Sequence, residues 1–425
     1  MNKDNNSNKE LSVTEPNKNY TLLDYVRNLG PGAVVCATII GPGTITTCTL
    51  AGVQFQYSLG WAVIFSIVTA IILQMFSSKV GIVSGKGLAE VIYETYKGTK
   101  LQYIFAALVI MAIGVGNSAF QSGNMIGAVL GVNAIFYLEP WKWGLILALI
   151  VFTLLWSGKY VVIEKVMTAM VFLMVITFIL TAIAVKPDLG LILKGFIPGI
   201  PDGGMLVTMS LIGTTVIPHL LFMHSSMSSS KWSSRNKNNA IKESNFDTSF
   251  NMVMGGIITI CVIITGAAMF GVGVTISSGL DMAKQLEPLV GSWARYIFGI
   301  GLFSAGITSS LAAPMSAGYA ICGIMNWSTD LKSKKFRIIW IIVLLAGFIA
   351  TASGYKPVQV ILVAQTFNGI ILPISVIMLM MAVNNKKILG DYTNKTSMNI
   401  IGIMVTLITI MLGAKTLYVV LPKLF

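Results

Sequence analysis

The side chains able to do chemistry in this 425-residue sequence are few and mostly uncharged. Its two histidines, His219 and His224, stand five residues apart. A regular helix would turn them roughly 140° away from each other, so they do not converge on one ion. They are the only groups in apolar segments that ordinarily titrate near neutrality, which makes each a candidate for proton coupling beside the plainer reading of a packing residue. A neutral polar set accompanies them: Thr44, Thr46 and Thr47, then Asn117, Gln121 and Asn124, then Thr214 and Thr215, then Gln365 and Asn368. Such hydroxyls and amides can bind a solute as a group, although any one of them serves helix packing more often than ligation. The four cysteines, Cys36, Cys48, Cys261 and Cys322, lack the paired spacing of a zinc site or a disulfide framework. All sixteen Asp and Glu fall in predicted tails, loops or helix ends, so no residue is assigned as a metal ligand and no cofactor is expected. No nucleophile, base and orienting carboxylate could meet at membrane depth, which excludes an enzyme. GxxxxGK[ST] is absent, so transport would have to draw on an ion gradient or a partner.

Membrane helices must hold these groups. The chain is 55% apolar and 11% charged, with mean hydropathy +0.79, too apolar for a water-soluble core of ordinary proportions. Predicted spans cover 30–52, 58–83, 101–130, 141–157, 162–185, 204–227, 249–275, 290–325, 337–353, 357–383 and 398–421. They form one transmembrane domain over 30–425, preceded by a disordered tail over 1–29 that has no signal-peptide core. The net charge of +13 reflects topology and not nucleic-acid binding. With the N-terminus inside, 21 Lys and Arg fall on the cytoplasmic side and eight on the other, which predicts an integral protein of a prokaryotic-type plasma membrane with its C-terminus outside. The 228–246 stretch reads as the longest inside loop, and Glu90 to Glu94 as a solvated helix end.

Two spans carry helix breakers. Gly41-Pro42-Gly43-Thr44 interrupts the first, and the run from Gly213 to His219, with Pro218, interrupts the sixth. Proline removes a donor and clashes with the preceding turn, and such breaks survive in a bilayer only where they line a cavity or are buried in protein. Five spans separate them, as two inverted five-span halves (about 30–185 and 204–383) plus an eleventh helix (about 398–421) would require, and in such folds the unwound middles form the substrate site.

The runs GPGAVVCATIIGPGTITTCTLAGVQ, GTTVIPHLLFMHSS, GLFSAGITSSLAAP and LVAQTFNGIILP resemble the first, sixth, eighth and tenth spans of the NRAMP metal-ion transporters. The resemblance implies an all-α, LeuT-type fold with eleven helices and a cytoplasmic N-terminus. It also implies that the substrate is met by Gly41, Thr44, Thr214 and Ile217, which stand where the family has Asp, Asn, Ala and Met. The family's acidic pair in span three falls on Gly114 and Asn117, and both histidines match ones the family retains. A site made of Gly41, Gly43, Thr44, Thr47, Asn117, Gln121, Thr214, Thr215, Ile217, Gln365 and Asn368 has no anionic group to compensate a dehydrated dication. Bare glycines expose half-helix N-termini, which favour an anion. The expected cargo is therefore a small carboxylate or amino-acid-like solute moved by alternating access. A divalent-metal transporter with an altered site is the alternative, and a membrane sensor or structural protein the second. The expected partners are a small-molecule or ion substrate and the lipid bilayer, with no nucleic acid.

Overall fold

The computed structural model describes residues 30–271, 287, 291–354 and 356–424. The predicted tail, 1–29, lies outside these residues, as do 272–275 of the predicted seventh span and 290 of the eighth. Among the described residues the secondary structure is helical. The first span is α1 (Pro31–Ile39) and α2 (Pro42–Phe55), followed by α3 (Gly60–Ser84) as the second and a short α4 (Leu88–Tyr96). The third joins α5 (Lys100–Val109) through a π-helical turn, Ile110–Val115, to α6 (Gly116–Ile135). Next come α7 (Pro140–Trp156), α8 (Tyr160–Ala184) and the short α9 (Leu189–Lys194). The sixth span is α10 (Met205–Thr215) with α11 (Pro218–Trp232), and the seventh is α12 (Lys237–Ala267). The last four are α13 (Ala294–Ile324), α14 (Lys334–Ala352), α15 (Pro357–Val383) and, after the short α16 (Lys386–Leu389), α17 (Thr396–Leu424). Among the described residues nine helices are long and apolar enough to cross a membrane, or ten with the pair α1 and α2, bent by 48°, taken as one span; the 17-residue α7 is a shorter apolar helix.

Both breaks have one local cause. In a helix the Thr38 carbonyl would accept from residue 42 and the Thr214 carbonyl from residue 218, and both are prolines without an N–H. Each proline then opens the next half-helix, at a position where a missing donor costs nothing. The sixth span bends less than the first, and its halves together form one 28-residue apolar span. These two spans sit centrally against the second, seventh, eighth and tenth. Backbones approach closely where the first crosses the seventh: a Cβ on Gly52 would stand 2.4 Å from the Ile263 carbonyl oxygen and 2.5 Å from the Ala267 nitrogen. Neither atom can rotate away, so Gly52→Ala is expected to cost about 1–3 kcal/mol by overpacking, read as a lower Tm of the purified protein.

Two expectations are corrected where α11 meets α12. The predicted loop over 228–246 shrinks to 233–236, because α11 runs to Trp232 and the Asn236 side chain caps α12 by accepting from the Asn238 and Asn239 amides. Asp247, assigned to a loop or helix end, consequently lies eleven residues into α12 and is 2% exposed. Its carboxylate accepts from the Gly30 amide at 3.0 Å, the Gly32 amide at 2.7 Å and the Asn251 amide at 3.0 Å. A neighbouring helix thus supplies the anionic N-terminal cap that α1 lacks in its own sequence.

Candidate functional site

The two breaks touch. Thr44 Oγ1 and Thr214 Oγ1 stand 2.8 Å apart, both wholly buried. The Thr44 hydroxyl also donates to the Ile39 carbonyl, so the Thr214 hydroxyl must donate in the shared bond. Span ten closes on this contact through missing side chains. A Cβ on Gly43 would fall 1.9 Å from Gln365 Nε2, and one on Gly213 would fall 2.6 Å from the Gln365 carbonyl oxygen. Gln365 Oε1 accepts from Asn368 Nδ2 at 3.4 Å, while Gln365 Nε2, Thr46 Oγ1 and Thr47 Oγ1 have no hydrogen-bond partner among the described residues. Buried polar atoms in that condition are characteristic of places that hold water or a ligand. Ile217 is extended between α10 and α11 and 2% exposed.

Other sequence candidates lie elsewhere. Thr215 bonds back to the Leu211 carbonyl of its own helix at 3.0 Å. Asn117 and Gln121 turn toward span eight, donating to the Ala313 carbonyl at 2.9 Å and the Ser310 carbonyl at 3.4 Å. The π turn just before them, which includes Gly114, changes which face of the helix the following residues present. His219 packs on the Phe120 ring, centroids 5.0 Å apart, and neither ring nitrogen is partnered among the described residues. His224 Nδ1 meets Gln74 Oε1 at 2.9 Å. The histidines thus address spans three and two and share no ligand position. Among the described residues no group of three or more His, Cys, Asp or Glu could hold a metal ion.

Span eight carries groups that sequence reasoning missed as site residues. A Cβ on Gly41 would stand 2.6 Å from Ser309 Oγ, so Ser309 fills the place of the absent side chain. The Thr308-Ser309-Ser310 hydroxyl run was the available signal. A cavity of about 790 Å³ opens beyond α11, lined by Glu90, Glu164, Lys231, Asp330, Tyr160 and Tyr319 among others. Glu90 is not a fully solvated helix end: it is half-buried, accepts from the Gly87 amide at 2.6 Å and caps α4. Burial raises its pKa above the ordinary carboxylate value of 4.5, outweighing the Gly87 bond and nearby Lys86. The fold therefore favours the protonated form, and stability should fall as pH climbs from 4.5 through the raised value. Glu90→Gln keeps a carbonyl acceptor for Gly87 and should flatten that decline, measured as Tm against pH.

Residues 32–419 match the family model described as natural resistance-associated macrophage protein-like. The divalent metal cation transporter MntH of Staphylococcus aureus (strain bovine RF122 / ET3-1) is 28% identical, over 94% of each chain. The manganese transporter of Eremococcus coleocola, solved with an aromatic bis-isothiourea substituted compound, is similar with TM-score 0.80 and 22% identity, over 95% of this chain and 88% of that one. MHP1, a nucleobase-cation-symport-1 family transporter, is similar with TM-score 0.59 and 15% identity, over 92% and 93%. These likenesses show an all-α, LeuT-type fold. They also overturn the expectation of a carboxylate- or amino-acid-like cargo, because relatives named for divalent metal cations match along nearly the whole chain. Bare glycines at the breaks had pointed to an anion, but Ser309 and Gln365 occupy the space beside them.

Proposed function

This chain belongs to the NRAMP family, an integral membrane family of transporters and not of enzymes, and from that premise we propose that it moves a divalent metal cation through a site of neutral oxygens between its first and sixth spans. The observation that carries the reading is the buried contact of Thr44 with Thr214, which joins two half-helix breaks at one point. Oxygens available there are the two hydroxyls, the carbonyl of Thr214 released by Pro218, and the side chain of Gln365 against Gly43. Breaks of this kind, five spans apart, serve alternating access in two-repeat transporters.

Neutral oxygens suit a hard cation but leave its double charge uncompensated, so binding is weak and the ion is released readily. The N-terminus lies inside and the C-terminus outside, as the excess of Lys and Arg on the inner loops supports. His219 or His224 is the group left for any proton movement, since span three has Gly114 and Asn117 where the family resemblance implies acids.

Proteoliposomes loaded with a metal-sensitive dye test the reading. Saturable uptake of manganese or magnesium is expected, half-saturating nearer millimolar than micromolar concentration. Thr44→Val and Thr214→Val should each reduce it about tenfold or more, roughly the effect of losing one charge-assisted contact of about 1.4 kcal/mol. Absence of divalent flux under an imposed gradient, from protein that melts cooperatively, would overturn it.

A further inference from the structure

A groove of about 380 Å³ separates α15 from α17, far in sequence from the two broken spans. Its apolar walls include Ile377 and Met380 on one side and Ile403 and Leu407 on the other. A Cβ on Gly402 would stand 2.5 Å from Met380 Sδ, so the thioether lies against bare backbone of α17 and forms the floor. Ile377, Ile403 and Leu407 are 41, 53 and 61% exposed, which leaves the groove open to the hydrocarbon around a membrane helix. At one end the lining turns polar, with Asn384 and Asn399. Asn384 Nδ2 donates to the Met380 carbonyl at 2.9 Å and Asn399 Nδ2 to the Asn394 carbonyl at 3.5 Å, while Asn399 Oδ1 is buried without a hydrogen-bond partner among the described residues. Lysines frame this end. Lys386 and Lys387 open α16 just beyond Asn384, and the Lys395 carbonyl accepts from the Asn399 amide at 3.0 Å. All three side chains are exposed, Lys79 of α3 adds a fourth cation through its bond to Asn394 Oδ1, and Asp391 is the one carboxylate in the stretch 384–395.

We infer that this groove seats an acyl chain of an anionic phospholipid with a hydroxyl-bearing headgroup of the glycerol type, its phosphate held among Lys386, Lys387 and Lys395. An apolar trough open to hydrocarbon takes an alkyl chain, and basic residues where membrane helices end attract anionic headgroups. Lysine stems are long enough to lie along apolar surface while the ammonium reaches the phosphate. The buried Asn399 oxygen needs a donor, because a polar atom left unpaired out of water is costly. A glycerol headgroup supplies that hydrogen, and a choline headgroup has none to give. A free phosphate would meet the lysines but leave the trough bare, so the chain and the headgroup are bound together. Since α17 packs chiefly on α15, a lipid lying along both helices fastens the last span to the bundle.

The test is thermal unfolding of the purified full chain in detergent, titrated with phosphatidylglycerol, phosphatidylcholine, phosphatidic acid or soluble glycerol phosphate. A saturable rise in Tm of about 3 °C is expected with phosphatidylglycerol and none with phosphatidylcholine or glycerol phosphate. Phosphatidic acid, charged but without the headgroup hydroxyls, should bind about fivefold more weakly, and Asn399→Leu should erase that difference. Replacing Lys386→Gln, Lys387→Gln and Lys395→Gln together should weaken phosphatidylglycerol binding about tenfold or more. Replacing the equally exposed Lys332→Gln, Lys334→Gln and Lys335→Gln around the start of α14 should leave it unchanged. Ile403→Trp, at an exposed position, fills the trough and should abolish the rise. Equal stabilisation by phosphatidylcholine would overturn the inference, since lipid would then only coat an apolar surface. A response that survives both the lysine and the Ile403 substitutions, or one that glycerol phosphate reproduces, would overturn it as well. Phosphatidic acid binding as tightly as phosphatidylglycerol would refute the headgroup assignment.

Discussion

Replacing Gly41→Asp, Thr44→Asn and Ile217→Met together is expected to tighten manganese binding by about two orders of magnitude, measured by calorimetry on the purified variant. The triple change adds a charged oxygen, an amide oxygen and a thioether beside the Thr214 carbonyl, a donor set with both the charge and the softness that the present site lacks. The Thr44–Thr214 contact already brings positions 44 and 214 within 2.8 Å through their hydroxyls, so the new groups have a common point to address. Room at position 41 is the demanding part. The new Cβ meets Ser309 Oγ at 2.6 Å, and that hydroxyl must rotate away and release the Thr38 carbonyl. Affinity should climb between pH 6 and pH 8, because the aspartate must be deprotonated to ligate and metal binding releases its proton. A variant that folds and melts normally yet binds no manganese anywhere in that range would show that positions 41 and 217 do not face a shared cavity.

Asp247→Ala is expected to produce the largest loss of stability, about 3 kcal/mol or more. It strips two buried backbone amides, those of Gly30 and Gly32, of a charged acceptor at 3.0 and 2.7 Å. Asp247→Asn keeps one acceptor oxygen and should fall between the two. The effect should also be directional. Cys36, 3% exposed, lies against Gly255 of the same seventh helix, where an added Cβ would stand 3.0 Å from its sulfur. Detaching α1 from α12 should therefore raise maleimide labelling of Cys36 severalfold, with no comparable gain at Cys48 on α2. Unchanged labelling in a destabilised Asp247→Ala variant would mean that the carboxylate supports the fold generally and does not hold the start of the first span.

Much of the architecture was legible because breakers are local. Pro42 and Pro218 announce their breaks from the sequence alone, and the spacing of the spans between them follows from apolar length. The ends of helices were less legible. The polar stretch 233–246 reads as loop because Asn and Ser have poor helix propensity, yet the Asn236 cap and packing on span two extend α12 by three turns. Which polar residues meet was harder still. Asn117 and Gln121 belong to the right span, but the π turn at Ile110–Val115 sets their face, and no periodicity in the sequence signals it. Ser309 was passed over since one hydroxyl in a Ser- and Thr-rich helix looks like packing; its role appears only beside Gly41. The cargo was misjudged for a related reason: losing carboxylates from a site argues about affinity, and says less about which class of ion the scaffold was built to carry.

The cavity beyond α11 is lined by the carboxyl groups of Glu90, Glu164 and Asp330 together with the Lys231 side chain. At physiological salt the field of an exposed charge dies away over about 8 Å, so basic residues outside the cavity act on an ion inside it only at short range. Low-dielectric walls instead focus the field of the carboxylates into the space they enclose. On the transport reading proposed above, a dication that passes through this cavity meets the carboxyl groups of Glu164 and Asp330, an attraction that a higher ionic strength weakens.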